Sequence, residues 1–422
     1  MKKRIGVLVI ALLLCVTAFS GCYTEVYLPN DEGEGASQSA SSSGQTSSAE
    51  KSESATESKA ESATGSTEST VASKAESKQE PVSSAAGKEP IQMTEKKIVL
   101  TDSRIKYLGR SAVSEERVLW DYSCTGFEIN INGTGAKVEI REKPTSTNQS
   151  FYGVWVDGEK TQNVELEKGL NTLILAENLP EGNHHIRLVK LNETRFTRSD
   201  LEGITVVGDL AERPADNALK IEFIGDSLTA GFGNLTSNPN QDYTSATQDG
   251  TQTFAFKTAE LLNADYSIVA VSGWGLAQDC DGNTKNVLPA MYEYSAYFGQ
   301  KLVWDFNRFQ PDVVVINLGT NDFSSKVSET LFAEKVQSFS ELIAKKNPGA
   351  QIVWCYGLAT ENGLQAIQSA VEGVTGVENI HFVRLPLMNT QVDGVGGLWH
   401  PSIRSHNKAG EALAKAIEEI LK

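Results

Sequence analysis

The stretch Leu219-Lys220-Ile221-Glu222-Phe223-Ile224-Gly225-Asp226-Ser227-Leu228 decides the fold of the carboxyl-terminal half of this chain. Its first six residues are rich in apolar side chains and predict a strand, which a glycine turn and a serine follow directly. Further strands are predicted over residues 266–271 and 312–318. The last of these is almost entirely apolar, as expected in a parallel sheet that is covered on both faces.

Helical periodicity alternates with strands along the rest of this region. It predicts helices over residues 253–262, 327–345, 364–371 and from about 407 to 421, with strands at 351–356 and 380–384 between them. This alternation predicts a three-layer α/β domain with right-handed crossovers. We expect that domain to span residues 213–422.

Residues 96–212 have a different pattern, which predicts a β-sandwich. Strands at 127–131 and 137–141 flank Asn132-Gly133, a predicted turn, and strand 151–156 ends at a second predicted turn, Asp157-Gly158. Further strands are predicted over residues 171–175 and 185–191. Because only residues 211–218 connect the two regions, we expect the sandwich to pack against the α/β domain and to shape one end of its site.

Residues 1–22 are predicted to be an export signal. Met1-Lys2-Lys3-Arg4 precedes an apolar run over residues 5–17 that is too short to span a bilayer comfortably. Small residues then lead to Cys22, as at a bacterial lipoprotein processing site, and we expect Cys22 to carry the lipid. The alternative is an ordinary secretory signal with Cys22 as a bystander. Either way, we expect the protein at the outer face of a bacterial cell, lipid-anchored or secreted.

Composition predicts a disordered linker and excludes several kinds of partner. Residues 31–90 contain no aromatic residue, leucine or isoleucine, so we expect a disordered Ser/Ala/Glu-rich linker over residues 23–95. The 422 residues carry a net charge of −16, which argues against a nucleic-acid partner and against membrane binding other than through the lipid anchor. Five cysteines and five histidines are too scattered for a metal site. We expect a monomer that needs no cofactor or metal.

Four blocks of the α/β region supply residue types suited to one reaction. Ser227 follows the first strand, Gly273 the second and Asn321 the third, and His400 precedes the last helix. The carboxyl ends of parallel strands share one edge of the sheet, where open α/β folds place their sites. Attack on an ester carbonyl needs a nucleophile, a base and hydrogen-bond donors for the oxyanion, so the four residues form a candidate serine hydrolase site.

The order and spacing of these blocks resemble the SGNH/GDSL hydrolase superfamily over residues 218–422. Upstream, Trp120-Asp121-Tyr122 and the stretches 154–159 and 182–190 look like the jelly-roll domain of carbohydrate esterase family 2. The resemblance implies a flavodoxin-like parallel sheet preceded by a jelly-roll β-sandwich. It also implies a serine esterase that removes O-acetyl groups from plant polysaccharides such as xylan and glucomannan, with an acetylated polysaccharide or oligosaccharide as its partner.

The resemblance assigns roles to individual residues. Ser227 matches the nucleophile and His400 the general base. The oxyanion hole would consist of the backbone N–H groups of Ser227 and Gly273 and the side-chain amide of Asn321. His406 matches a second histidine of the last block that lies outside the catalytic set. Two tryptophans flank the site and are predicted to contact substrate, namely Trp274 and Trp399.

The chain departs from the commoner pattern beside the catalytic histidine. Many superfamily members carry an aspartate two or three residues before it, where this chain has Leu398 and Gly397. We therefore predict a Ser227–His400 dyad in which a main-chain carbonyl orients the imidazole, with a pKa near histidine's ordinary ~6.5. The alternative is that Asp393, seven residues upstream, folds back as a third member.

Two other functions are compatible with these residues. The first is an SGNH esterase that acts on the cell's own exopolysaccharide or on lipid-like esters. The second is a surface carbohydrate-binding lipoprotein whose hydrolase fold no longer turns over. The short spans between the blocks leave little room for a long acyl chain, which favours acetyl esters.

Overall fold

The computed structural model describes residues 94–143, 148–193, 195–298 and 300–422. The predicted signal peptide, Cys22 and nearly all of the predicted linker lie outside the described residues. Among the residues described, none of the helices is both long enough and apolar enough to cross a membrane.

Ten strands form the antiparallel sheet of the amino-terminal region. The two longest, β5 and β10, have 18 and 13 residues. Strand β5 pairs with β9 through Gly126–Gly133 and with β8 through Ala136–Glu142, so it takes part in both layers of a β-sandwich. The strands are β1 (Glu95–Ile98), β2 (Lys106–Leu108), β3 (Ser111–Val113), β4 (Val118–Trp120), β5 (Gly126–Lys143), β6 (Phe151–Val156), β7 (Glu159–Glu165), β8 (Gly169–Ala176), β9 (Gly182–Lys190) and β10 (Arg198–Leu210).

The two predicted turns of the sandwich have different outcomes. The prediction of a turn at Asn132-Gly133 is wrong, because β5 runs through these residues without interruption. Its pairing with β10 shifts register beside Gly133, between Val207 and Gly208, and a Cβ on Gly133 would collide with the Val207 carbonyl. Glycine inside a strand marks such a bulge and close backbone approach. The turn at Asp157-Gly158 is confirmed: both residues have positive φ and join β6 to β7.

A five-stranded parallel sheet forms the core of the carboxyl-terminal region, in the order β12-β11-β15-β16-β17. Its strands are β11 (Leu219–Gly225), β12 (Ala264–Ala270), β15 (Val313–Asn317), β16 (Gln351–Tyr356) and β17 (Ile380–Arg384); a separate hairpin comprises β13 (Tyr294–Ala296) and β14 (Leu302–Val303). The helices are α1 (Ser227–Ala230), α2 (Phe254–Leu261), α3 (Leu288–Met291), α4 (Thr320–Ser324), α5 (Glu329–Lys346), α6 (Leu364–Glu372) and α7 (Ile403–Ile420).

Helices cover both faces of the parallel sheet. Side chains of α2 and α7 share one core cluster with Phe223 and Val315, whereas those of α5 and α6 share another with Ile224 and Ile316. Adjacent residues of a strand point to opposite faces, so these two clusters are the two outer interfaces of a three-layer fold. The predicted fold class, a three-layer α/β domain with a parallel sheet preceded by a β-sandwich, is confirmed.

The sandwich packs directly against the α/β domain, as predicted. The guanidinium of Arg110 is fully buried and donates to both carboxylate oxygens of Glu222, at 3.1 and 3.0 Å. Lys106 Nζ donates to Asp265 Oδ1 at 2.8 Å across the same interface. Removing one partner of such a buried pair leaves an uncompensated charge. Each region therefore supplies one partner of these ion pairs, and neither charge of the Arg110–Glu222 pair is compensated without the other region.

Candidate active site

Ser227 lies where the first parallel strand meets a short helix. Strand β11 ends at Gly225, and the Asp226 side chain caps α1 by accepting from the Leu228 N–H at 3.0 Å. Ser227 is the first residue of α1, so its N–H has no intrahelical acceptor. The hydroxyl and the N–H of one residue are thus both presented at the carboxyl edge of the sheet.

His400 is hydrogen-bonded to Ser227 and to the main chain. Its Nε2 is 2.9 Å from Ser227 Oγ, and its Nδ1 is 3.0 Å from the carbonyl oxygen of Gly397. A carbonyl only accepts, so Nδ1 carries the proton and the lone pair of Nε2 faces the serine hydroxyl. This tautomer is the one that a general base needs.

An unusual turn brings the Gly397 carbonyl close to the His400 imidazole. Leu398 and Trp399 both have positive φ, 46° and 60°, which is uncommon for residues with a side chain. Gly396 N–H donates to the His400 carbonyl at 2.7 Å, and Gly397 N–H donates to the Gly233 carbonyl at 2.8 Å. Backbone held in sparsely populated conformations clusters at functional sites, and here it places a main-chain carbonyl against the imidazole.

Asp393 has other partners. Lys408 Nζ donates to Asp393 Oδ1 at 2.6 Å, and the backbone N–H of Asn389 donates to its other oxygen at 3.3 Å. The Lys408 ammonium lowers the pKa of the Asp393 carboxyl. Both nitrogens of the imidazole bond to groups other than this carboxylate. The geometry thus agrees with the predicted dyad and gives Asp393 no contact with the histidine.

We expect Asp393→Asn to lower kcat/KM by less than tenfold, because the mutation removes an ion pair and leaves the His400–Gly397 bond in place. Lys408→Met breaks the same ion pair from the other side and is the matched control, so both variants should behave alike. The measurement is hydrolysis of p-nitrophenyl acetate. A loss of about a thousandfold in Asp393→Asn alone, comparable to losing a triad carboxylate, would contradict the dyad.

Burial changes the basicity expected for His400. The ring of Phe232 lies 4.5 Å from the imidazole, centroid to centroid. Burial lowers the pKa of His400 to about 4, and the hydrogen bonds to the backbone at Gly397 and Leu398 oppose that shift only partly. The prediction of a pKa near 6.5 therefore needs correction downward, because the charged imidazolium loses solvation and gains no carboxylate partner.

We expect kcat/KM to rise with pH through an apparent pKa well below histidine's ordinary ~6.5, because burial lowers the pKa of His400 to about 4 and only neutral imidazole accepts the serine proton. Activity should be close to its plateau at pH 6.5. Because burial also raises the pKa of Asp226 to about 7, the profile should be measured in Asp226→Asn as well as in the wild type. An apparent pKa of 6.5 or above for the rise in kcat/KM, in both the wild type and Asp226→Asn, would contradict this prediction.

Two backbone N–H groups are available for an oxyanion. Gly273 has φ +80°, a conformation that favours glycine. Within the described part of the chain, the N–H groups of Ser227 and Gly273 donate to no protein acceptor. Asn321 differs: its Nδ2 donates to Asp226 Oδ2 at 3.2 Å and to the Trp274 carbonyl at 3.0 Å. Its amide would serve an oxyanion only by releasing one of these bonds, and the bond to Asp226 is the longer.

Two buried aspartates organise this edge of the sheet. Asp226 accepts from Leu228 and from Asn321, as described above. Asp322 accepts three backbone N–H groups of residues 276–278, at 2.9, 2.7 and 3.1 Å. Burial raises the pKa of both carboxyls, and the charge of Asp322 contributes to the shift of Asp226. Their contacts agree with the turn and loop-capping roles that short polar side chains have in such positions.

The two flanking tryptophans differ in exposure. Trp274 is only 7% exposed, and its ring packs against Tyr297 and Phe298. The structure therefore does not support the predicted contact between that ring and substrate; it is the backbone carbonyl of Trp274 that takes part in the site. Trp399 is 39% exposed and adjacent to His400, so its ring remains a candidate for sugar contact.

The second histidine of the last block is structural. His406 is buried, and its Nδ1 accepts the N–H of Phe254 at 3.2 Å, at the first residue of α2. Burial lowers its pKa to about 3, so it remains neutral. This agrees with its predicted position outside the catalytic set.

Sequence analysis missed two side chains that reach the site from the sandwich. Glu193 and Arg195 follow β9, and both contact Ser272, the residue before Gly273. They lie 79 and 77 positions from that partner along the chain. Neither belongs to a motif or a periodic pattern, so only the tertiary structure reveals them. The described residues include no group of three or more His, Cys, Asp or Glu side chains that could hold a metal ion.

Comparisons with known proteins match both regions. Residues 107–214 match the family model for the carbohydrate esterase 2 N-terminal domain, and residues 223–421 match the GDSL-like lipase/acylhydrolase family. A cellulase/esterase of Acetivibrio thermocellus is 32% identical over 75% of this chain, which spans 39% of that protein's length. An acetylxylan esterase/glucomannan deacetylase of Cellvibrio japonicus is 31% identical over 58% of this chain and 71% of its own length.

A solved structure matches a similar share of the chain. A family two carbohydrate esterase from Clostridium thermocellum, in complex with cellohexaose, superposes with a TM-score of 0.70 at 30% identity, covering 75% of this chain and 99% of that chain.

Proposed function

The chain belongs to carbohydrate esterase family 2, and from this we propose that it removes O-acetyl groups from plant cell-wall polysaccharides, xylan and glucomannan, through an acetyl-Ser227 intermediate. The observation that carries the proposal is the 2.9 Å hydrogen bond between Ser227 Oγ and His400 Nε2, beside two unused backbone N–H groups. The name of the Cellvibrio japonicus relative supports the choice of substrate.

In the first half of the reaction, Ser227 Oγ attacks the acetyl carbonyl carbon while His400 Nε2 takes the serine proton. The Gly397 carbonyl holds the ring in the required tautomer and stabilises the imidazolium through the Nδ1–H bond. The N–H groups of Ser227 and Gly273 bind the oxyanion, and each such donor is typically worth about 3–4 kcal/mol of the barrier. Asn321 Nδ2 joins them by giving up its bond to Asp226.

In the second half, the imidazolium protonates the sugar oxygen as the ester bond breaks, which leaves acetyl-Ser227. Water then replaces the sugar, and His400 takes a proton from it as it attacks the acetyl carbon. Collapse of this second tetrahedral intermediate releases acetate and returns the proton to Ser227 Oγ. The exposed Trp399 ring beside the base supports sugar contact, because aromatic faces present a large apolar surface to a ligand.

The first 95 residues support a proposal for the place of action. We propose that Cys22 carries a lipid and that residues 23–95 tether the esterase to the outer face of the cell, where polysaccharides are accessible. Support comes from the charged start, the short apolar run and the small residues before Cys22. Cells fed radiolabelled palmitate should label the wild-type protein and not Cys22→Ser. Equal labelling of both would contradict the lipid anchor.

Acetate release from a panel of acetylated glycans tests the substrate. We expect release from acetylated xylan and glucomannan, and we expect activity on p-nitrophenyl esters to fall steeply beyond acetate. Broad activity on longer acyl esters with no release from either glycan would favour an esterase for lipid-like compounds. Binding to glycans without hydrolysis of any ester would favour the non-catalytic lipoprotein.

A further inference from the structure

The segment after β9 of the sandwich reaches the α/β-domain loop that contains Ser272 and Gly273, here called the oxyanion loop. Glu193 is fully buried, and its two carboxylate oxygens accept the N–H of Ser272, at 2.8 Å, and the hydroxyl of the same residue. The guanidinium of Arg195 donates through Nη1 to the Ser272 carbonyl oxygen. Every backbone polar group of Ser272 is therefore bonded to a side chain from the sandwich.

The hydrogen bond from Arg195 to the Ser272 carbonyl also affects the direction of the Gly273 N–H. The carbonyl of Ser272 and the N–H of Gly273 belong to one planar, trans peptide unit, in which they point in opposite directions. A donor that holds the carbonyl therefore also sets the direction of the N–H. That N–H and the N–H of Ser227 are the two backbone donors of the proposed oxyanion hole that have no acceptor among the described residues.

Space around Gly273 indicates how tightly this peptide is held. A Cβ on Gly273 would collide with Nη1 of Arg195. The positive φ favours glycine here, and a larger residue would also displace the guanidinium from its contact with the loop. On the other side of the loop, the Gly273 carbonyl accepts the N–H of Cys280 at 2.9 Å. The peptide before Gly273 and the peptide after it are both anchored.

The opposite charges of Glu193 and Arg195 also stabilise each other. Burial raises the pKa of the Glu193 carboxyl, and the two Ser272 hydrogen bonds and the nearby charge of Arg195 oppose that shift. Gln248 Nε2 adds a longer bond to Glu193 at 3.4 Å. A carboxylate at this depth is tolerated only with such partners. The pair therefore acts as one unit on the oxyanion loop.

We propose that Arg195, supported by Glu193, is a positioning residue of the esterase: it orients and polarises the Ser272–Gly273 peptide so that the Gly273 N–H is directed at the oxyanion. The β-sandwich thereby completes the oxyanion hole of the neighbouring domain. The inference rests on the proposed role of Gly273 in ester hydrolysis and adds residues that lie outside the four sequence blocks.

The test compares Arg195→Met with Arg308→Met in the full chain. Arg308 is a matched control, because its Nη1 also donates to a serine backbone carbonyl across the same domain interface, that of Ser111 at 2.8 Å, without touching the proposed site. Hydrolysis of p-nitrophenyl acetate is the assay, so the result does not depend on which glycan is the substrate.

We expect Arg195→Met to lose about 10- to 100-fold in kcat with KM within twofold of wild type, somewhat less than the loss of a whole oxyanion donor. Arg195→Lys keeps a charged donor but loses the planar guanidinium, so it should lose about three- to tenfold in kcat, and Arg308→Met should keep wild-type kcat. Binding of an alkylboronic acid, which forms a tetrahedral adduct on a serine, should weaken in Arg195→Met by the same factor as kcat.

Several results would overturn the proposal. One is kcat within twofold of wild type in Arg195→Met, and another is an equal loss in Arg308→Met. A third is unchanged boronic acid binding in a variant with low kcat. If Arg195→Met does not fold, Arg195→Lys decides: a loss of three- to tenfold in kcat at constant KM supports the proposal, and an unchanged kcat refutes it. If the proposed glycan substrate is wrong, the wild-type enzyme will hydrolyse p-nitrophenyl acetate but release no acetate from glycans. That outcome is distinct from failure of the proposal for Arg195.

Discussion

Ser227→Ala is expected to reduce kcat on acetyl esters by about 10⁴-fold or more, because it removes the only atom proposed to form the covalent intermediate. The side chain is small and buried, and its hydroxyl bonds only to the imidazole among the described groups, so the fold should persist. Stopped assays for acetate, with circular dichroism to confirm folding, measure the effect.

A serine elsewhere on the α/β domain gives the matched control. Ser338 is exposed on α5 and should tolerate alanine without change in kcat. If Ser227→Ala retained even a tenth of the wild-type rate, Ser227 would not be the nucleophile. Glycan binding should survive in Ser227→Ala, which separates loss of chemistry from loss of the site.

His400→Ala should cause a loss similar in size, about 10⁴-fold or more in kcat, because the serine hydroxyl then has no base within hydrogen-bond reach. Residues of a catalytic unit are strongly non-additive. The double variant Ser227→Ala, His400→Ala should therefore be no slower than Ser227→Ala alone, within about threefold.

His381 provides the histidine control. It lies in β17, where its Nε2 is 2.8 Å from Gln351 Oε1, and His381→Asn should leave kcat unchanged. A His400→Ala enzyme that keeps more than a hundredth of wild-type kcat, or a double variant that multiplies the two single losses, would contradict a Ser227–His400 dyad.

Secondary structure was predictable wherever the pattern of side chains matched a single period. Strands β16 and β17 begin and end where their apolar runs predict. The start of α7 was predicted a turn too late, because Ser402 caps the helix by accepting from the Ser405 N–H before the apolar period becomes visible. The Asn132-Gly133 prediction failed because local turn propensity was overridden by long-range pairing with β10.

The amino-acid sequence by itself determined the two-part architecture and the four residues at the edge of the parallel sheet, Ser227, Gly273, Asn321 and His400. It could do so because strand ends are local features, and a parallel sheet brings its carboxyl ends together whatever the details of packing. The absence of an acid beside His400 was equally visible, since it concerns positions within three residues of the histidine.

Only the tertiary structure decided how those residues are tuned. Trp274 is buried and Trp399 exposed although both flank the blocks, and burial moves the pKa of His400 down to about 4. Arg195 and Glu193 reach the oxyanion loop from another domain across more than 70 residues of chain. Burial, solvation and contacts between distant segments depend on how whole elements pack, and no local pattern in the sequence encodes them.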